Sequence, residues 1–217
     1  MTKHSNKKSR FVILISGRGS NMQKIVETCK NENWSADISA VISNNPRASG
    51  LDWAKDNNIN SISLDSSSYS DRDKFDSDLS SEIDKYSPDY ILLAGFMRIL
   101  GHSFVKKYYG KLINIHPSLL PAFPGLNTHS NAIASGVRIH GCTVHFVSPE
   151  LDSGPIIAQG YTNVFTHDTV KTLAERVLMV EHKVLPSVAH WLTLGEVTLN
   201  NDNKAIILND HNGLFYL

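Results

Sequence analysis

The sequence predicts an α/β protein: a mostly parallel, twisted sheet with helices on both faces and a mixed C-terminal half. Two observations carry this. Through the first half, short apolar runs of strand length alternate with segments whose apolar residues recur at helical spacing. After residue 116 the rhythm changes, and two strand-like runs joined by a turn precede a long helical segment.

Each element has a local reason. FVILIS (11–16) is a buried-strand run, and the next segment sets Met22, Ile25, Val26 and Cys29 on one helical face. Ser20 and Gln23 have the spacing of a capping box. ISAVIS (38–43) is a second strand, ended by Asn44, Asn45 and Pro46, and a helix through Leu51 and Ala54 follows. SISL (61–64) is a third strand. Phe75, Leu79 and Ile83, four residues apart, mark an amphipathic helix within 70–86. DYILLAG (89–95) is a fourth strand, followed by a short helix through Phe104 and Tyr108. KLINIH (111–116) is a fifth, stopped by Pro117. CTVHFV (142–147) and PIIAQGYTNV (155–164) are strands joined by the turn PELDSG. A helix over 169–192 is expected to kink at Pro186, and EVTL with KAIIL around NNDN forms a terminal hairpin. Strand–helix–strand units of this kind cross over right-handed.

Composition narrows the function. Lys plus Arg (21) balance Asp plus Glu (21), so net charge draws the chain toward neither nucleic acid nor an anionic membrane. With 41% hydrophobic and 19% charged residues, a packed core is attainable. The two cysteines, Cys29 and Cys142, form no C-x-x-C pair. They exclude a disulfide framework and a zinc ribbon, and point to a cytoplasmic protein with free thiols. The apolar runs 11–15 and 90–97 fall well short of the ~20 residues of a membrane span. Residues 1–9 read as a flexible polar tail, and 10–217 as one domain.

SGRGSN (16–21) lies between a strand and a helix, where backbone N–H groups and the helix N-terminus converge on one point suited to a phosphate. A plain tight turn with two glycines is the alternative. Met22 stands where a dinucleotide fingerprint has its third glycine, and the second strand ends in Ser43 and Asn44 rather than an acid. NAD is therefore disfavoured. Without a G-K-[ST] sequence an ATP loop is absent, and a small phosphomonoester fits best.

Asn114 and His116 share one face of their strand, while Ile113 and Ile115 share the other. A polar pair there must be hydrogen-bonded. It sits at the strand's C-terminal end, where open parallel sheets place ligands. The pair either serves catalysis or satisfies backbone groups. Asp152 is the carboxylate suited to orient an imidazole, although the turn alone reads as an ordinary Asp before Ser-Gly. His129, His140 and His145 match no common zinc spacing, and no G-x-S-x-G elbow supplies a nucleophile. Cys29 reads as core and Cys142 as strand interior. An amide, an imidazole and a carboxylate, without nucleophile or metal, suggest direct acyl-type transfer through a tetrahedral intermediate.

Four stretches then stand together: SGRGSNMQ (16–23), AGFMRIL (94–100), NIHPSLLPAFPGLNTH (114–129) and HGCTVHFVSPELDSGPII (140–157). Over roughly residues 10–192 the chain closely resembles the phosphoribosylglycinamide formyltransferase family of purine biosynthesis. The resemblance implies a Rossmann-like formyltransferase fold, with a phosphate-binding half (10–110) and a catalytic, folate-binding half (111–217). It implies 10-formyltetrahydrofolate as co-substrate without metal, NAD or ATP, small-molecule substrates, no nucleic-acid or membrane partner, and a monomer or homodimer. By the same resemblance Asn114, His116 and Asp152 are the catalytic trio. Gly19, Ser20, Asn21 and Glu181 hold the glycinamide ribonucleotide. Arg72 reads the folate tail or caps the pocket. Met97, Arg98, Ile99, Leu100, Phe104 and Val105, with Val147, Ser148, Pro149 and Glu150, form the folate cleft. The Leu120–Pro121 bond is expected to be cis. Leu178 and Asn127 depart from the family, standing where some members have Gln and His. Within the same fold, a formyltransferase acting on tRNA would need an RNA-binding domain and a basic surface, and a formyltetrahydrofolate hydrolase an N-terminal regulatory domain. A non-catalytic nucleotide-sensing module is the rival of another class.

Overall fold

The computed structural model describes residues 8–209 and 211–217. Strands β1 (Ser9–Ile15), β2 (Ala36–Ser43), β3 (Asn60–Ser63), β4 (Tyr90–Leu93) and β5 (Leu112–His116) alternate with helices α1 (Ser20–Asn31), α2 (Ser49–Asp56), α3 (Arg72–Asp84) and α4 (His102–Lys107). Then follow α5 (Thr128–Ala134), β6 (Ile139–Phe146), β7 (Ile156–Asn163), α6 (Val170–Thr193), β8 (Val197–Leu199), β9 (Ala205–Ile207) and β10 (Leu214–Tyr216). The eight-stranded sheet runs β10-β7-β6-β5-β4-β1-β2-β3, with β8 and β9 forming a separate hairpin. From β3 to β5 all neighbours are parallel; β6 lies antiparallel between β5 and β7, and β10 returns parallel to β7. The strand order reverses between β1 and β4. In an open α/β sheet that switch point leaves a crevice beyond the strands' C-terminal ends.

Alternation along β1 divides the core. Phe11, Ile13 and Ile15 pack with Met22, Ile25 and Val26 of α1 and with the apolar face of α6. Val12 and Leu14 pack on the other side with Phe75, Leu79 and Ile83 of α3. Both faces of β1 are therefore covered, which is why its sequence is apolar throughout instead of alternating. On β5, Ile113 and Ile115 join the first core. Leu112 joins the second and puts Asn114 and His116 on its own side of the sheet.

Several local expectations change. The tail 1–9 falls mostly on residues 1–7, outside the described residues, and Ser9 already opens β1, its N–H donating to the Ser35 carbonyl at 3.0 Å. The Ser20–Gln23 capping box does not form. Gly19 is the N-cap, left-handed at φ 69°, and Gln23 instead donates to the Arg18 carbonyl at 2.9 Å. The residue with the free left-handed backbone takes the cap, so Ser20 lies inside the helix. The reciprocal box appears at α6, between Thr169 and Thr172. Pro186 lies inside that helix without ending it, since the helix continues to Thr193. Burial of Val184, Leu185 and Val188 around the proline outweighs the single backbone bond it removes. Among the described residues no helix is long and apolar enough to cross a membrane.

Candidate active site

Ser16, the first residue beyond β1, joins the loops at the switch point. Its hydroxyl donates to Asn44 Oδ1 at 2.6 Å and accepts the Met97 N–H at 2.7 Å, while its own N–H donates to the Gly95 carbonyl at 3.1 Å. The glycine loop after β1, the end of β2 and the 94–101 loop after β4 thus meet on one side chain. At Gly19 the chain turns left-handed into α1, whose first N–H groups have no intrahelical acceptor. Asn21 is buried at the start of α1, and its Nδ2 donates to Glu181 Oε2 on α6 at 2.6 Å. Burial pushes the Glu181 carboxyl up to about 7, with the Asn21 bond pulling the other way.

At the end of β5 three groups converge. His116 Nε2 lies 3.0 Å from the Phe123 carbonyl, which can only accept, so Nε2 carries a hydrogen. Nδ1 then faces Asp152 Oδ2 at 3.4 Å, with both side chains less than a tenth exposed. Asp152 sits in the turn between β6 and β7 at φ 49°, a conformation uncommon for a non-glycine residue. That turn returns its carboxylate to β5, where Oδ2 also accepts the Gly125 N–H at 2.8 Å. Asn114 pairs across the antiparallel ladder with His145, and its Nδ2 lies 3.2 Å from His145 Nε2. The amide donates, so Nε2 is bare and Nδ1 carries the hydrogen, which goes to the Phe146 carbonyl at 2.9 Å. Burial lowers the pKa of His145, consistent with this neutral tautomer. Behind His116, burial pushes His140 down to about 4 and lowers His129. Their rings meet edge-to-face at 5.3 Å.

A cavity of about 580 Å³ opens over this constellation. Asn114, His116 and Asp152 lie in its wall, as do Met97, Arg98, Ile99, Leu100, Val105, Val147, Ser148, Pro149 and Glu150. Apolar walls with a few convergent polar groups suit an amphipathic ring system. Two expected cleft residues lie elsewhere. Phe104 is buried in the α3-side core against Tyr108, because α4 turns Val105 and not its neighbour toward the cavity. Arg72, exposed at the first position of α3, is outside the wall. Gly19, Ser20, Asn21 and Glu181 are outside that wall as well, at the start of α1 and on α6. Asn127 lines the cavity at φ 59°, as N-cap of α5, and the Leu120–Pro121 bond is cis. The sequence reading missed His145 as a partner of the site. Its one signal was a histidine within a strand-like run, and only the strand register shows that it faces Asn114.

A model of the formyl transferase family matches residues 9–189. The chain is 44% identical over 192 residues to a phosphoribosylglycinamide formyltransferase of Escherichia coli (strain K12), covering 88% of this chain and 91% of that one. It is equally, 44%, identical over 198 residues to the trifunctional purine biosynthetic protein adenosine-3 of Homo sapiens. That match takes in 91% of this chain but only 20% of the human protein, so the chain spans about a fifth of that relative's length. The crystal structure of phosphoribosylglycinamide formyltransferase from Anaplasma phagocytophilum superposes with a TM-score of 0.90 at 37% identity, over 97% of this chain and 98% of that one. With the matched span running from β1 into the last turns of α6, the chain belongs to the formyl transferase family.

Proposed function

We propose that this chain transfers the formyl group of 10-formyltetrahydrofolate to the amine of N1-(5-phospho-D-ribosyl)glycinamide, releasing tetrahydrofolate. The observation that carries the reading is the meeting of Asn114, His116 and Asp152 at the end of β5, in the wall of an apolar cavity whose Met97 is tied to the glycine loop by Ser16. The amine nitrogen attacks the formyl carbon, and the carbonyl electron pair moves to oxygen. Asn114 has two amide hydrogens. His145 takes one, and the other is free to donate to that oxyanion. A proton held between His116 Nδ1 and Asp152 Oδ2 puts positive charge on the ring beside the developing negative charge. Asp152 Oδ2 is occupied by the Gly125 N–H, so Oδ1 is the oxygen suited to take the proton shed by the amine, directly or through water. The same proton neutralises N10 of the folate as the carbon–nitrogen bond breaks.

In this reading Gly19, Ser20 and Asn21 hold the phosphate, and Glu181 holds the glycinamide or ribose. Met97, Arg98, Ile99, Leu100, Val105 and residues 147–150 hold the pteridine. Phe104 supports that wall from behind, and Arg72 reaches the folate tail from outside it. The reaction proceeds by direct transfer, without metal, NAD or ATP, in a cytoplasmic enzyme, monomeric or homodimeric. An absorbance assay of 10-formyltetrahydrofolate with and without the phosphorylated amine tests it. Deformylation only when the amine is present is expected; deformylation in its absence identifies a hydrolase. His116→Ala is expected to lower kcat by about 10²–10⁴ while the KM for the amine is kept. Equal losses of binding and turnover would make the histidine merely structural.

A further inference from the structure

Asp76 is an acid on the buried side of α3, 5% exposed. Its Oδ2 accepts the Gly101 N–H at 2.6 Å. The fit leaves no slack: a Cβ at Gly101 would lie 2.8 Å from that oxygen. Its Oδ1 is buried without a partner, as is Nε of Arg98. Arg98 stacks its guanidinium over Phe75, the residue before Asp76, at 4.3 Å from the ring centroid. The stretch between Met97 and Gly101 is therefore pinned at both ends, by Ser16 Oγ at the Met97 N–H and by Asp76 at the Gly101 N–H. All three residues between the pins, Arg98, Ile99 and Leu100, line the cavity. Burying a carboxylate for a single backbone bond is unfavourable unless its charge has further use. Burial raises the Asp76 carboxyl, while the Gly101 N–H and then the charges of Arg98 and Arg72 pull it back down.

We infer that Asp76 is a positioning residue for the folate cleft: it fixes the 97–101 wall through Gly101 and sets Arg98 by charge, without touching the reacting atoms. This rests on the folate reading above, and it assigns Asp76 control of co-substrate affinity rather than of the chemical step.

Asp76→Ala is expected to raise the KM for 10-formyltetrahydrofolate, and the Kd for tetrahydrofolate measured by fluorescence titration, about tenfold. kcat and the KM for the phosphorylated amine are expected to change by less than about twofold. Asp76→Asn keeps an acceptor for Gly101 and removes the charge. It is expected to lose affinity to a smaller degree while protecting the Gly101 amide from hydrogen exchange as the wild type does. It also carries the test should the alanine variant fail to fold. An unchanged folate KM in a folded Asp76→Ala protein would overturn the inference, as would parallel losses in kcat and in both KM values. If the wild type binds no tetrahydrofolate, the folate reading itself fails. The pin is then judged by hydrogen exchange over 97–101, and unchanged exchange in Asp76→Ala refutes it.

Discussion

Glu181→Gln isolates the energetics of the buried contact between α1 and α6. The glutamine keeps an oxygen acceptor for the Asn21 amide at nearly the same place. What disappears is ionisation. Burial raises the carboxyl from 4.5 to about 7, so the folded protein holds a proton that the unfolded chain releases between those values. The sign follows: the raised acid favours the fold below 4.5, and that contribution is lost as pH rises through about 7. At about 1.4 kcal/mol per pH unit of displacement, ionising this site in the folded state costs about 3 kcal/mol. Most of that develops between pH 5 and 8. Urea unfolding of wild type and variant at several pH values in that range is the assay. Every other titrating group is common to both proteins, so the difference curve reports residue 181 alone. The variant is expected to gain about 2–3 kcal/mol on the wild type from pH 5 to 8. Parallel stability curves would refute the reasoning and place water or a cation beside the carboxylate.

Two further outcomes bear on the catalytic face. Asn114→Ala removes the amide proposed to meet the oxyanion, and a fall in kcat of about 10²–10³ in steady-state assays is expected. A fall below tenfold would remove Asn114 from that role. His145→Ala frees the Asn114 amide to rotate, and kcat is expected to drop about tenfold with both KM values retained. A larger loss than in Asn114→Ala would mean that His145 acts on its own account.

The parallel half was legible because its signals are local. The unbroken apolar run 11–15 reflects a strand covered on both faces, and Phe75, Leu79 and Ile83 mark the core side of α3 at helical spacing. Asn114 and His116 were visible as a candidate pair for the same reason, since two positions on a strand share a face. Asp152 was not visible alone, because its role depends on the fold of the 147–155 turn over a strand more than thirty residues earlier in the sequence. The partnership of Asn114 with His145 likewise exists only through antiparallel register. The short α5 escaped the sequence reading because it follows a proline- and glycine-rich stretch and starts from Asn127 in a left-handed conformation. At α1, two residues with the right spacing suggested a cap, and backbone freedom at Gly19 decided otherwise.

The hydroxyl of Ser16 acts as donor toward one loop and acceptor from another. A tilt of the glycine turn is therefore transmitted without an intermediary to the backbone at Met97. In the proposed reading, the two loops that receive the separate reactants are already aligned before either arrives. A single molecule joining a phosphorylated sugar to a folate-like ring would inherit that alignment, and much of the entropy of bringing two partners into line would be spared it.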